Sequence, residues 1–321
     1  MSRFPRLGAL VLLAALVPAP ASASTFAVTS TEDAPDADPG DGACASAAGV
    51  CTLRAAVVEA NAGPDAQAIE LPSGTYPLRL SGAENAAATG DLDVRADLSI
   101  IGAGAGETVV QGGWSGEPDR IFDVRATGTS LLLSDLTVTG GQVTSAQGSL
   151  RRGGGIGAEP GTDLSLQRVT VASNSVAGTG GSGGGLFVGG SASIEGSTFT
   201  ANEAQGVGGA LRVNGTATLR NVTVNGNAAT DDGGGLSVSG SVTLNNVTIA
   251  ANVADSHVSV SGDGGGLQVA PTATATISNS IVGDNRDRST SGDQHPDCSG
   301  SIASGGHNVI EAVEGCSGFQ D

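Results

Sequence analysis

The sequence predicts an all-β fold: a parallel β-helix with three short strands per coil of about 25 residues and a short N-terminal capping helix. Three observations predict it. Between Gly183 and Asn252 the chain repeats in steps of 25 residues, with Leu186, Leu211 and Leu236 in one column and Val188, Val213 and Val238 in the next. Ile194, Leu219 and Leu244 form a third column, Phe199, Val224 and Ile249 a fourth, and Asn202, Asn227 and Asn252 close each unit. Within a unit, the period-2 alternation of Val242 and Leu244 breaks at Asn245-Asn246 and resumes with Val247 and Ile249, so the chain turns there. Finally, Gly makes up 52 of 321 residues without a Gly-X-Y period, more than twice the usual ~7%, which fits many tight corners.

The N-terminus is expected to leave the mature chain. Arg3 and Arg6 give a basic start, Leu7 to Val17 an apolar run, and Ala21-Ser22-Ala23 a cleavage signal, so residues 1–23 read as a secretory signal peptide cut after Ala23. No later apolar stretch approaches the ~20 residues of a membrane span. The 298 residues left carry 12 basic and 32 acidic side chains, a net charge of −20, and no lysine. Such a surface repels phosphate backbones and anionic lipid, which argues against nucleic-acid and membrane partners. Four cysteines in an exported chain suggest two disulfides.

Residues 24–76 read as a cap. Thr25 to Thr29 alternates as a first strand, and an acidic Pro/Gly loop leads to Cys44 and Cys51, whose short spacing is compatible with a disulfide. Leu53, Val57 and Ala60 mark one face of a short helix, with Thr52 as N-cap and Asn61 to Gly63 as its stop. Cys51, Leu53, Arg54 and Ala56, followed by Ala60-Asn61 and a strand from Ile69 to Tyr76, resemble the motif of CSLREA-domain proteins, bacterial exported proteins with right-handed parallel β-helices. Thr52 and Ala55 depart from that motif; Thr52 keeps the N-cap, while Ala55 loses the reciprocal half of the capping box. The Gly-Gly-Gly-Leu and Asn repeats likewise resemble those of polymorphic outer membrane proteins. The segment is structural on this reading, with the helix blocking an open end of the stack.

Residues 77–296 form the β-helix, its early coils less regular than the later ones. The recurring Asn174, Asn202, Asn227, Asn252 and Asn285 read as a ladder whose amides bond along the stack and whose backbone tolerates the left-handed region. Asn221, Asn246 and Asn279 form a second column. The lone Trp114 reads as a packing lid. Extra residues fall at 142–152, 175–182 and 253–263, always between the Asn corner and the next Gly run. Insertions at one corner stack into a ridge, here carrying Arg151, Arg152, Asp231, Asp232, Asp255, His257 and Asp263 as binding candidates. Residues 297–321 read as a C-terminal cap that resembles the closing segment of the same family, with Cys298 and Cys316 expected to clamp the last coil.

For catalysis, paired carboxylates matter, and Asp231 and Asp232 with Asp263 one coil on are the best pair. Aromatic and basic residues to grip a sugar are scarce. The spacing of Asp36, Asp38 and Asp41 resembles an oxygen-ligand loop, which makes calcium the one cofactor to consider, although an EF-hand pattern is lacking. His257, His295 and His307 form no zinc spacing with the cysteines. The expectation is a secreted or cell-surface monomer, a non-enzymatic, adhesin-like binding scaffold for a protein or polysaccharide. The alternative is a polysaccharide lyase, glycoside hydrolase or carbohydrate binder of the pectate-lyase-like fold.

Overall fold

The computed structural model describes residues 24–63, 66–82, 84–144, 151–256, 263–289 and 294–319. The signal-peptide segment and His257 lie outside the described residues. All ladders that build the stack are parallel, and consecutive coils pair in the register of the sequence repeat: Leu186 with Leu211, Leu211 with Leu236, and Leu236 with Leu267.

In the coil that starts at Gly233, the first face is Leu236–Val238, while Ser241–Ala250 supplies the second and third faces with a bend between them. Leu236, Val238, Val242, Leu244, Val247 and Ile249 all point into the bore and are at most 2% exposed. Each such side chain stabilises the stack by about 2 kcal/mol. Ten strands lie along the second face, from Ser24–Ala27 to Ala303–Ser304, giving a stack roughly 43 Å tall at ~4.8 Å per step.

The coil holds one feature more than the three expected strands. Among the described residues a fourth ladder of six strands, four of them only two residues long (Gln142–Val143, Ala228–Ala229, Val253–Ala254 and Arg286–Asp287), follows the corner that the ladder asparagines occupy in the later coils. Two-residue strands carry too little alternation to be visible as a period.

The Asn ladder lies between the bore and this fourth ladder, and its bonds run one way. The backbone N–H and the Nδ2 of Asn202 both donate to Asn227 Oδ1, at 2.9 Å each. Asn227 does the same to Asn252, and Asn252 to Asn285. Every Nδ2 also reaches a strand carbonyl, as Asn227 does to Phe199 O at 3.1 Å. The last rung donates to Asp297 Oδ1, a buried carboxylate that only accepts and so ends a one-way chain of donors.

One expectation about these columns is corrected. The ladder asparagines are not in the left-handed region; the residue before each is, as at Ser173, Ala201 and Ala251, with φ of 55°, 53° and 55°. The second Asn column does adopt it, with φ of 54°, 61° and 51° at Asn221, Asn246 and Asn279. The Gly runs abut the ladder: a Cβ on Gly234 would lie 2.3 Å from the Val253 carbonyl carbon, and one on Gly235 only 3.2 Å from the Asn252 amide.

At the N-terminal end the helix Leu53–Ala62 starts as expected, with Thr52 Oγ1 accepting from Ala55 N at 3.0 Å. Arg54 is wholly buried and all five of its donors are used, on the Asp33 carboxylate and on the carbonyls of Ala87, Gly90 and Asp91. Glu59 accepts from Gly40 N and Gly42 N at 2.6 Å, tying the acidic loop to the helix. Both disulfides form, Cys44–Cys51 in this cap and Cys298–Cys316 around the last coil. Trp114 packs against the core as a lid.

Asn227→Ala strands two buried donors on Asn202, so it is expected to cost about 3 kcal/mol. Asn221→Gly, at an exposed left-handed corner, is expected to be near neutral. Urea midpoints of the two variants check the difference.

Candidate functional site

Short outward side chains on the second face leave a groove of about 520 Å³ that crosses six coils. Register sets its two walls. Asp97, Ser130, Asp163, Ser191 and Thr216 form one row, and Ser99, Leu132, Ser165, Ser193 and Thr218 the other. Strand alternation puts these residues outside, and parallel in-register stacking turns alternate positions into continuous rows. Asp97 Oδ1 accepts from Ser130 N at 2.8 Å, and Asp163 accepts from the Ser191 hydroxyl, so neighbouring coils are linked along the wall. Six coils at ~4.8 Å give a track of roughly 24 Å. Sequence reasoning missed this groove, because serines and threonines at outward strand positions read as ordinary solvated face; only their alignment across coils makes a track.

The expected ridge is partly assembled. Asp231 and Asp263 are exposed, and Asp232 Oδ1 accepts from Asp263 N at 3.0 Å, so these three acids of adjoining coils do meet. Burial pushes the Asp232 carboxyl up from its ordinary value. Three other ridge candidates make contacts within the fold, and His257 lies outside the described residues. Asp255 is buried rather than displayed, in a left-handed turn with φ 51°. Arg152 pairs with Glu159 and lies 4.5 Å over the Phe187 ring, and Arg151 is half-buried against Gly178.

Two residues that sequence spacing did not single out join the ridge. His295 Nδ1 lies 2.6 Å from Asp263 Oδ1, and Asp287 completes a group whose ligand atoms all lie within 4.8 Å of one another. Asp263 and His295 are 32 residues apart, so no local motif could reveal the pair. Asp36, Asp38 and Asp41, by contrast, build turns. Asp36 accepts from Asp38 N and Ala45 N, and Asp41 from Ala43 N, so their oxygens are turned to backbone amides.

Asp91, Asp93 and Asp123 form a second acidic group, each residue at most 2% exposed. Asp123 pairs with Arg120 at 2.8 Å and Arg125 at 2.6 Å, and Asp93 with Arg125 at 3.0 Å. Desolvation by burial raises Asp93 to about 7 against the lowering effects of the Ala87 amide and Arg125. Burial, reinforced by Asp119 and Asp93, likewise raises Asp91 well above the usual range. Closed to solvent, this cluster cannot meet a polymer and acts as an internal ionic tie.

Residues 124–312 match the family described as a right handed beta helix region. No curated protein matches by sequence. Among solved structures, the A-module of mannuronan C-5 epimerase AlgE6 from Azotobacter vinelandii is similar at 14% identity and a TM-score of 0.33, over 81% of this chain and 92% of that one. Among the described residues no helix is long and apolar enough to cross a membrane.

Asp93 holds its proton in the folded state up to about pH 7 and releases it near 4 when unfolded. Its stabilising effect is therefore full below about pH 4 and is lost as pH rises through 7. Melting temperature by calorimetry is expected to fall across that window, and Asp93→Asn to flatten the fall.

Proposed function

The chain belongs to the right-handed β-helix family, and on that premise we propose that it is an exported, non-catalytic scaffold that binds an extended polysaccharide along the second face. The observation that carries this reading is the six-coil groove with its two rows of hydroxyl and carboxylate side chains. Its coils advance by ~4.8 Å, so the polar side chains of the track recur at a fixed short interval along it. The acidic balance and the wall carboxylates Asp97 and Asp163 select a neutral or amino-sugar polymer over a polyuronate. Leu132, half-exposed in the middle of the track, offers an apolar patch for a sugar face in a chain poor in aromatics. Export itself rests on the signal-like residues 1–23 and the CSLREA resemblance; the two disulfides are compatible with an extracellular location.

A second reading, polysaccharide cleavage at the ridge, is favoured by one observation: Asp232, pushed up by burial, stands beside Asp263 and so offers an acid next to a second carboxylate.

Titration of the purified chain with neutral, amino-sugar and acidic polysaccharides separates the readings. Binding to a neutral or amino-sugar polymer is expected, weakened at least about tenfold when Ser165→Phe and Ser193→Phe fill the groove. Unchanged binding in that double variant rejects the groove. Release of reducing or unsaturated ends, abolished by Asp232→Asn, replaces the scaffold reading with the enzyme.

A further inference from the structure

We propose that Arg212 and Gln268, joined through the Ser237 hydroxyl, form a binding site for a carboxylate on the first face of the stack. The site lies apart from the glycan groove and is tested with small acids rather than a polymer.

Register builds the site. Phe187, Arg212, Ser237 and Gln268 occupy equivalent positions in four consecutive coils of the first face. Their neighbours Leu211, Val213, Leu236, Val238 and Leu267 fill the bore, so alternation turns this row outward. The heads of Arg212 and Gln268 meet on one hydroxyl. Arg212 Nη1 donates to Ser237 Oγ at 2.5 Å, and Ser237 Oγ donates to Gln268 Oε1 at 2.7 Å. Arg212 Nε donates to Asn214 Oδ1 at 2.7 Å, which also accepts from the Ser239 hydroxyl at 2.8 Å. Two fixed acceptors therefore set the plane of the guanidinium.

Donors are left over. Arg212 has five N–H groups, and among the described residues only Nε and Nη1 have partners, which leaves both hydrogens of Nη2 unused. Gln268 accepts through Oε1, and its Nε2 has no partner among those residues either. Unused donors thus stand on either side of a buried hydroxyl.

An independent observation is the lack of a counter-charge. A cation withdrawn from water needs a partner. Arg54, Arg120, Arg125 and Arg152 each have a carboxylate in contact. Arg212, half-buried and next in the row to the buried Phe187, has no carboxylate at ion-pair distance among the described residues. Burial holds its guanidinium below the ordinary value, and Asp232 opposes that shift only from a distance.

Chemistry then narrows the ligand. A planar guanidinium matches a carboxylate, and one cation balances one negative charge. Asp232 on the adjoining ridge penalises a second charge, which disfavours a phosphate dianion. The carboxylate may belong to a simple organic acid or to a sugar acid; the recognising chemistry is shared.

The test is a titration of the full chain, its arginine and glutamine side chains isotope-labelled and followed by NMR. The probes are sodium acetate, sodium glucuronate and sodium phosphate, with sodium chloride at matched ionic strength as the reference. Saturable shifts of the Arg212 and Gln268 side-chain N–H signals are expected with both carboxylates, and weaker binding with phosphate. Tighter binding of glucuronate than of acetate assigns the site to a sugar acid, and equal binding to a simple one. Arg212→Gln is expected to weaken binding at least about tenfold, and Arg220→Gln, at an exposed position on the second face, to leave it unchanged. Where Arg212→Gln melts below the parent, Arg212→Lys takes its place, because it keeps the charge and loses the planar fork. No saturable shift, the same shift with chloride, tighter binding of phosphate than of acetate, or equal binding by the parent and the Arg212 variant overturns the proposal.

Discussion

The chain can turn the same corner coil after coil because a buried asparagine there replaces the hydrogen bonds that the bend removes from the sheet. Each side-chain oxygen takes two donors from the coil before, and each Nδ2 reaches back to a strand carbonyl. The surrounding features follow from that constraint. A left-handed residue must precede each ladder asparagine, and the Gly run of the same coil must pass so close that a side chain would strike backbone or amide. A one-way chain of donors also needs an end, which Asp297 supplies beside the disulfide of Cys298 and Cys316.

The excess of negative charge is distributed by depth. At the base, Asp33 and Glu59 are used inside the cap, the first by Arg54 and the second by two loop amides. The Asp91, Asp93 and Asp123 cluster meets Arg120 and Arg125 in a water-poor space, where a carboxyl is cheaper protonated than charged. Asp97 and Asp163 on the groove and Asp231 and Asp263 on the ridge are among the acids that remain in water. The arginines of the cap and of the cluster are spent on internal ties, so neither region offers a cationic surface.

Groove and ridge lie on two different faces of one stack. The groove is built from the most regular positions of the repeat, the alternate outward residues of long strands, and its length grows with coil number. The ridge is built from the departures from the repeat, where insertions leave the stack between the fourth ladder and the next Gly run. A solenoid permits both, since each coil contacts only its neighbours and a change at one corner leaves the others in register.

The residues alone determined the stack: its 25-residue period, its aliphatic bore, its Asn column, the capping helix with Thr52 at its start, and the ridge acids Asp231, Asp232 and Asp263. All of these are encoded by local alternation or by a fixed spacing, which a one-dimensional reading can count. Tertiary structure decided what depends on register and burial. Ser165 and Ser193 became a groove wall only when coils aligned, and His295 met Asp263 only after a coil had closed between them. Asp255 was taken inside, and Asp36 was turned to backbone amides. The physical reason is one of range: a strand's alternation is set by its neighbours in sequence, whereas a side chain's partners and its access to water are set by coils about 25 residues away.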